Sequence, residues 1–361
     1  MTDSSASTGE PSRVPIGLQV AAGWCWRLLV IGLAVTAFGI LARKLELALI
    51  PLLTAVLLTG LLQPVNRRLR QARLGRGVAA TLTVLLAVAV LGGVGAFVAN
   101  RAAAGYPQLV TQIDALVVRT QNWLVQGPLH LDRTSVSGVG DQIVNYLRSR
   151  QGQILSGAVS AGRTILDVLT SLVLTFFFTI FLLYDGRNVF RWLTALFPAR
   201  SREKVDEVGD RMWETVSGYV SGTFLVAVFH GVAMGLTLVL VGVPLVAPLA
   251  VLIFLGAFIP LIGAIVFGGL AVLVTLVTNG LTAGLIVLIV LLVENQVEGH
   301  VLQPFVVGRH VNLHPMAIAF VLTSGAILAG LPGAIFGVPL VAALNAATKA
   351  LRGTPDVAAS P

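Results

Sequence analysis

Two glutamates at the end of an apolar segment are the residues of this chain best placed to do chemistry. The thirteen residues 281–293 carry no charge, and Glu294 and Glu298 follow one helical turn apart, on the same face. Such a segment rises about 20 Å as a helix, whereas the hydrocarbon core of a bilayer is roughly 30 Å thick. If the helix crosses a membrane, both carboxylates lie at or near hydrocarbon depth, where charged groups by default mark a path for ions, protons or polar substrate. The alternative is that the helix surfaces early and both carboxylates lie among lipid headgroups.

The composition indicates that the surroundings are indeed a lipid bilayer. Of 361 residues, 56% are hydrophobic and only 11% are charged, whereas about 25% are charged in a typical soluble domain. The net charge of +8 comes from arginine clusters that flank apolar segments. We therefore interpret it as a topology signal and expect no nucleic-acid partner. The single cysteine, Cys25, excludes an intrachain disulfide.

Apolar segments long enough to cross a membrane predict an all-α polytopic protein with about eight transmembrane helices. The segments are 24–41, 47–62, 78–100, 165–184, 220–241, 248–278, 281–294 and 315–351. Two of them are broken, one at Pro260 and Gly263 and the other at Pro332 and Gly333. Each broken segment is either one kinked helix or two half-helices in a re-entrant hairpin.

The distribution of arginine residues predicts how the chain is oriented across the membrane. Residues 67–76 contain five arginines and no acid, so this loop is expected in the cytoplasm, together with both chain termini. The predicted organisation has a disordered tail, three transmembrane helices, an extracytoplasmic helical segment, a transmembrane transport core and a short C-terminal tail. The corresponding ranges are 1–23, 24–100, 101–161, 162–351 and 352–361. Within the core, residues 201–217 form a charged amphipathic segment, which we expect to lie as an interfacial helix on the cytoplasmic leaflet.

Two further features add candidate site residues. His230 lies about midway along the fifth segment, where a lone histidine more often packs with a satisfied hydrogen bond but can also titrate or bind substrate. The broken helices matter because unwound backbone at membrane depth is tolerated only where it is buried in protein or lines a cavity. The alternative is that each proline merely kinks a packed helix. The usual signatures of hydrolases, metalloproteases and nucleotide-binding enzymes are missing, so we expect neither enzymatic activity nor a cofactor.

A series of short motifs runs through residues 160–350. In order they are FFTIFLLYDG at 177–186, Gly242-Val243-Pro244, residues 259–263, Glu294-Asn295, Leu302-Gln303-Pro304 with Gly308, residues 311–315 and residues 330–339. In order and spacing they resemble the AI-2E transporter family, bacterial multi-pass proteins named for exporting the quorum signal autoinducer-2. The resemblance implies about eight spans, a location in the bacterial cell membrane and solute transport. Some members have been linked to sodium/proton antiport, so the resemblance does not fix the substrate.

Three functions follow as hypotheses. The first is export or exchange of a small polar solute, autoinducer-2-like by resemblance. The second is cation/proton antiport, with Glu294 and Glu298 exchanging protons for cations, and the third is a non-transporting membrane scaffold. Besides the lipid bilayer, a homo-oligomeric partner is left open. The residues assigned to the substrate or ion pathway are His230, Pro260, Gly263, Glu294, Asn295, Glu298, Pro304, Gly308, Pro332 and Gly333.

Overall fold

The structure, a computed structural model, describes residues 16–126, 162–259, 263–307 and 314–352, and within these ranges it is almost entirely helical and contains no strand. The helices are α1 (Ile16–Lys44), α2 (Glu46–Gln71), α3 (Arg76–Gln126), α4 (Gly162–Ala195), α5 (Ala199–Val241), α6 (Val246–Gly256), α7 (Gly269–Asn279), α8 (Leu281–Val297) and α9 (Pro315–Arg352). A π-helical segment, Ala264–Gly268, leads into α7, and another, Glu298–Val307, continues α8. The predicted all-α fold is confirmed.

Seven of the described helices are long and apolar enough to cross a membrane. Their candidate spans are Gly23–Leu41, Glu46–Gln71, Arg76–Gly105, Val168–Ala195, Ala199–Val241, Leu281–Leu302 and Met316–Arg352. Large apolar side chains on these helices point outward, as shown by Leu240 at 87% and Ile327 at 79% exposure. So large an exposed apolar surface suits lipid rather than water, and the prediction of a polytopic membrane protein is therefore confirmed.

The chain divides into two compact units, one up to Ile50 and the other from Pro51 onward. The first unit contains α1, whose side chains are exposed from Gly23 onward wherever the structure describes them. The second unit contains α3 to α9, most of α2, and all the candidate site residues. In this unit α3 is 51 residues long, or about 75 Å, and therefore continues well beyond the thickness of a bilayer. Its last part falls in the predicted extracytoplasmic segment, of which residues 127–161 lie outside the described ranges.

Helix α5 is the element around which the second unit packs. Its 43 residues run without a break through 201–217, the segment predicted to be a separate interfacial helix. The physical reason is that the apolar stripe of that segment continues into the buried residues Tyr219 and Val220, so nothing interrupts the helix. It ends at Gly242, whose φ of 80° closes the helix in a left-handed cap. The interfacial location of the first turns stays a prediction.

Helices α6 and α7 form a hairpin, called here the first hairpin (residues 243–279). At its turn Gly256 and Gly263 touch backbone to backbone, and a Cβ atom on Gly263 would lie only 2.0 Å from the carbonyl oxygen of Gly256. At its base the Asn279 side-chain amide donates to the carbonyl oxygens of Val241 and Gly242 at 3.0 and 3.3 Å. Because the segment starts and finishes at the same end of α5, it is a re-entrant hairpin and not a kinked span. Residues 260–262 of the turn lie outside the described ranges.

Helix α9 is likewise folded back on itself, and we call it the second hairpin (residues 315–352). Its backbone leaves the helical region at Ala329 and at Gly330, where φ is 62°. Eight residues apart, Gly325 and Gly333 touch across the arms, and a Cβ atom on Gly333 would lie 2.0 Å from the carbonyl oxygen of Gly325. The turn thus precedes Pro332, which lies in the first turn of the second arm, where proline is tolerated.

The two hairpins pack against different parts of α5. One apolar cluster joins the C-terminal part of α5, at Met234 and Leu238, to the first hairpin and α8. A second cluster joins Tyr219 and Val220 of α5 to the arms of the second hairpin, and it includes Ile259 from the turn of the first hairpin. The middle of α5, between these clusters, is where the candidate site lies.

Candidate functional site

Three ionisable side chains predicted separately from the sequence meet in one cluster. The Nδ1 atom of His230 lies 3.1 Å from an Oε2 atom of Glu294, and its Nε2 atom lies 2.9 Å from Oε2 of Glu298. His230 and Glu294 are almost completely buried, at 5% and 4% exposure. The Glu298 side chain is 27% exposed. The histidine therefore does more than pack, because it bridges two carboxylates with both of its ring nitrogens.

Helices α5 and α8 bring these residues to the same depth. Asn279 and Gly280 connect the first hairpin to α8, and Asn279 is hydrogen-bonded to the C-terminal end of α5. The two helices therefore run antiparallel from a common end. His230 lies twelve residues before Gly242, and Glu294 lies fourteen residues after Gly280. At 1.5 Å of rise per residue, both are about 20 Å from that end.

Close packing fixes the imidazole. A Cβ atom on Gly231 would lie 3.0 Å from Cβ of Phe254, so glycine is what allows α6 to approach α5 beside the histidine. The ring of Phe229 lies edge-on to the ring of His230, with 5.5 Å between their centroids. The contact with Phe229 therefore helps to keep the two ring nitrogens directed at the carboxylates.

The two short contacts determine how many protons the cluster holds. Each nitrogen–oxygen contact needs one hydrogen, supplied either by the imidazole or by a carboxylic acid. The cluster is therefore an imidazolium between two carboxylates, or a neutral imidazole between one carboxylate and one carboxylic acid. The net charge is −1 in both forms, because they differ only in where a shared proton lies.

One oxygen of the cluster is left over. Atom Oε1 of Glu294 is buried and has no hydrogen-bond partner within the part of the chain that the structure describes. Burial of a polar atom without a hydrogen-bond partner costs free energy, and the cost is larger when the atom belongs to a charged group. This atom is therefore where a proton or a cation would gain most by binding.

At the cluster, the backbone changes from α-helical to π-helical geometry. Glu294 lies in the last turn of α8, and Glu298 begins the π-helical segment Glu298–Val307. Irregular π-type turns inside helices are frequent at functional sites. Glu298 is also the most exposed member of the cluster, so water reaches it more readily than it reaches the other two.

The other predicted site residues are not part of this cluster. Asn295 donates its side-chain amide to the carbonyl oxygen of Leu291 at 2.9 Å, so it is bonded to its own helix. Gly263, Pro332 and Gly333 belong to the hairpins, where both glycines make the close contacts described above. Pro304 lies in the π-helical segment, but its side chain is outside the description. Pro260 and Gly308 fall outside the described ranges.

Comparison with known proteins agrees with the fold of a multi-pass membrane protein. Residues 28–353 match the model of the AI-2E family of transporters. A relative from Mycobacterium tuberculosis, whose name assigns transport but no substrate, is 41% identical over 97% of this chain and 95% of its own length. The Bacillus subtilis transport protein YrrI, also without a named substrate, is 27% identical, over 82% of this chain and 84% of its own.

A relative with a more specific name comes from Halobacillus andaensis. It is named a sodium-lithium/proton antiporter and is 26% identical over 90% of this chain and 95% of its own length. The family match spans most of the chain, including the whole of α5, both hairpins and α8. The protein is thus a multi-pass membrane protein that belongs to the AI-2E transporter family.

Proposed function

We propose that the protein exchanges protons for a monovalent cation, sodium or lithium, across the membrane. The observation that carries the proposal is the bridging of Glu294 and Glu298 by both ring nitrogens of His230 among membrane-crossing helices. Ionisable residues in such a position commonly form proton relays and ion paths. The relative named as a sodium-lithium/proton antiporter adds support for the choice of ion.

The exchange follows from the charge of the cluster. Loss of one proton changes its charge from −1 to −2 and leaves one nitrogen–oxygen contact without a hydrogen, so the carboxylates repel each other more strongly. A hard monovalent cation bound by the carboxylate oxygens, including Oε1 of Glu294, restores the charge to −1. Proton and cation therefore compete for one site, which is the condition for coupled exchange.

The test is proton movement in proteoliposomes that contain a pH-sensitive dye. With an imposed proton gradient, addition of sodium or lithium should collapse the gradient in the wild-type protein. Glu294→Gln should slow this by at least about tenfold, because the neutral amide can neither take up the proton nor attract the cation, and a hydrogen bond to a charged group contributes about 1.5–3 kcal/mol. Glu203→Gln, at an exposed position on α5, is the matched control and should behave as wild type.

Measurements in the same vesicles distinguish the proposed ion exchange from solute export and from a scaffold function. Normal exchange by Glu294→Gln at equal protein levels would overturn the proposal and leave Glu294 with a structural role. Proton flux that depends on a small polar solute but on no cation would instead support solute export, which stays a prediction from the sequence. No flux with any ion or radiolabelled solute would favour the scaffold hypothesis.

A further inference from the structure

A second polar site lies between α2 and α5, away from the histidine cluster. It is an open cleft of about 620 Å³. Its polar lining comes from Gln63 and Arg67 of α2 and from Trp213, Glu214, Ser217 and Ser221 of α5. The helices touch at its floor, where a Cβ atom on Gly60 would lie 3.3 Å from Cα of Ser217.

The polarity of the cleft changes along the helix axis. At one end are the exposed charged residues Arg67 and Glu214, beside the arginine-rich end of α2. At the other end is Leu225, eleven residues further along α5, which is about 16 Å as a helix. Between them, Gly218 and Gly222 line the cleft without side chains that would fill it. A charged end and an apolar end separated by this depth match an amphiphile lying parallel to the helices.

The charged groups that line the cleft indicate which kind of amphiphile it would bind. The lining holds one guanidinium and one carboxylate, so it has both signs and no net charge. The indole nitrogen of Trp213 donates to the side-chain oxygen of Gln63 at 3.3 Å and holds the ring at the mouth, the headgroup depth that tryptophan favours.

We propose that this cleft binds a zwitterionic phospholipid with a primary amine, the chemistry of phosphatidylethanolamine. The guanidinium of Arg67 donates to the phosphate, the carboxylate of Glu214 accepts from the ammonium group, and an acyl chain runs toward Leu225. Phosphatidylglycerol would leave Glu214 unpaired beside an anion. Phosphatidylcholine has a quaternary ammonium group with no hydrogen to donate. The site is independent of the proposed exchange of ions.

Native mass spectrometry of the purified full-length chain tests the proposal, with equimolar phosphatidylethanolamine, phosphatidylglycerol and phosphatidylcholine of identical acyl chains. We expect phosphatidylethanolamine to be preferred about fivefold over each of the others, the effect of one exposed ion pair. Glu214→Gln should remove the preference over phosphatidylglycerol, and Arg67→Gln should weaken binding of phosphatidylethanolamine. The matched controls Glu203→Gln and Arg70→Gln, exposed on the same two helices but outside the cleft, should keep wild-type selectivity.

Three results would overturn the proposal. The first is equal binding of the three lipids, and the second is a preference that Glu214→Gln leaves unchanged. The third is full competition by glycerophosphoethanolamine, which has the headgroup but no acyl chains, because the cleft would then recognise a soluble solute instead of a lipid. All four variants change exposed residues, and their unfolding temperatures, measured in the same detergent, should equal that of the wild type.

Discussion

At the scale of single residues, pairing with His230 offsets part of the cost of placing two carboxylates in an apolar setting. A charged side chain at the centre of a bilayer costs about 2.5–3.5 kcal/mol on insertion scales. Here each carboxylate contacts a ring nitrogen of His230, and the low dielectric strengthens both contacts. The residue types and their unusual depth could be predicted from the sequence. Their contact could not, because it depends on which faces of α5 and α8 meet.

One signal for the contact was present in the chain. His230 precedes the glycine that ends α5 by nearly the same number of residues as Glu294 follows the glycine that begins α8. Matching depths from a shared end would have suggested that the two residues are partners. The similar numbers of residues indicate a shared depth only if α5 ends and α8 begins at the same level. That in turn requires the segment between them to be a re-entrant hairpin.

Removing the histidine alone should be more harmful than removing the whole cluster. His230→Leu leaves two carboxylates without the ring that joins them, and breaking a buried ion pair costs about 3–5 kcal/mol. We expect a clearly lower unfolding temperature for this variant in detergent. The triple variant His230→Leu with Glu294→Gln and Glu298→Gln should recover much of the loss, since no buried charge is left. Equal stability of the single variant and the wild type would contradict the bridging role.

At the scale of elements, the hairpins depend on pairs of glycines that let two backbones touch. In both hairpins the contacting glycines flank the turn, Gly256 and Gly263 in the first and Gly325 and Gly333 in the second. The sequence predicted that both segments are broken. It could not distinguish a kink from a hairpin, because proline and glycine interrupt a helix in either case and only the contact between arms decides.

Glycine substitutions should separate the close contact from a general effect on helices. Gly333→Ala forces the arms of the second hairpin apart, and overpacking of this kind typically costs about 1–3 kcal/mol. We expect a lower unfolding temperature and a loss of transport activity in proteoliposomes. Gly269→Ala is the control, because a Cβ atom there meets nothing within 4 Å. It should leave stability unchanged or raise it by about 0.5–1 kcal/mol. Wild-type behaviour of Gly333→Ala would argue against contact between the arms.

At the scale of the whole molecule, the two hairpins change the predicted number of times that the chain crosses the membrane. Of the seven helices long enough to cross, the last is the second hairpin, which leaves six single crossings in the described part of the chain. An even number of crossings is what the arginine distribution requires if, as it predicts, both termini lie in the cytoplasm. The charge pattern alone could not distinguish eight spans from six spans with two hairpins, because each hairpin begins and ends on one side.

Cysteine labelling tests this threading. In a Cys25→Ala background, a cysteine replacing Ala72 should react only with reagent applied from the cytoplasmic side. One replacing Ser137 should react only from outside, because the sequence predicts a single span, at 78–100, between the two positions. The Cys25→Ala protein without an added cysteine serves as the blank. Labelling of both positions from the same side would contradict the topology.

The opposed hairpins have a consequence for the direction of flow. The first hairpin starts where α5 finishes, and the second hairpin, which follows the oppositely running α8 in the chain, packs against the other part of α5 at Tyr219 and Val220. The two helix–hairpin pairs thus repeat one layout upside down, as in transporters with inverted repeats. For the proposed exchange of ions, a layout of this kind predicts that the direction of exchange follows the ion gradients. Reversing the sodium and proton gradients across the proteoliposome membrane should therefore reverse the net movement of protons, and exchange in one direction only would contradict this expectation.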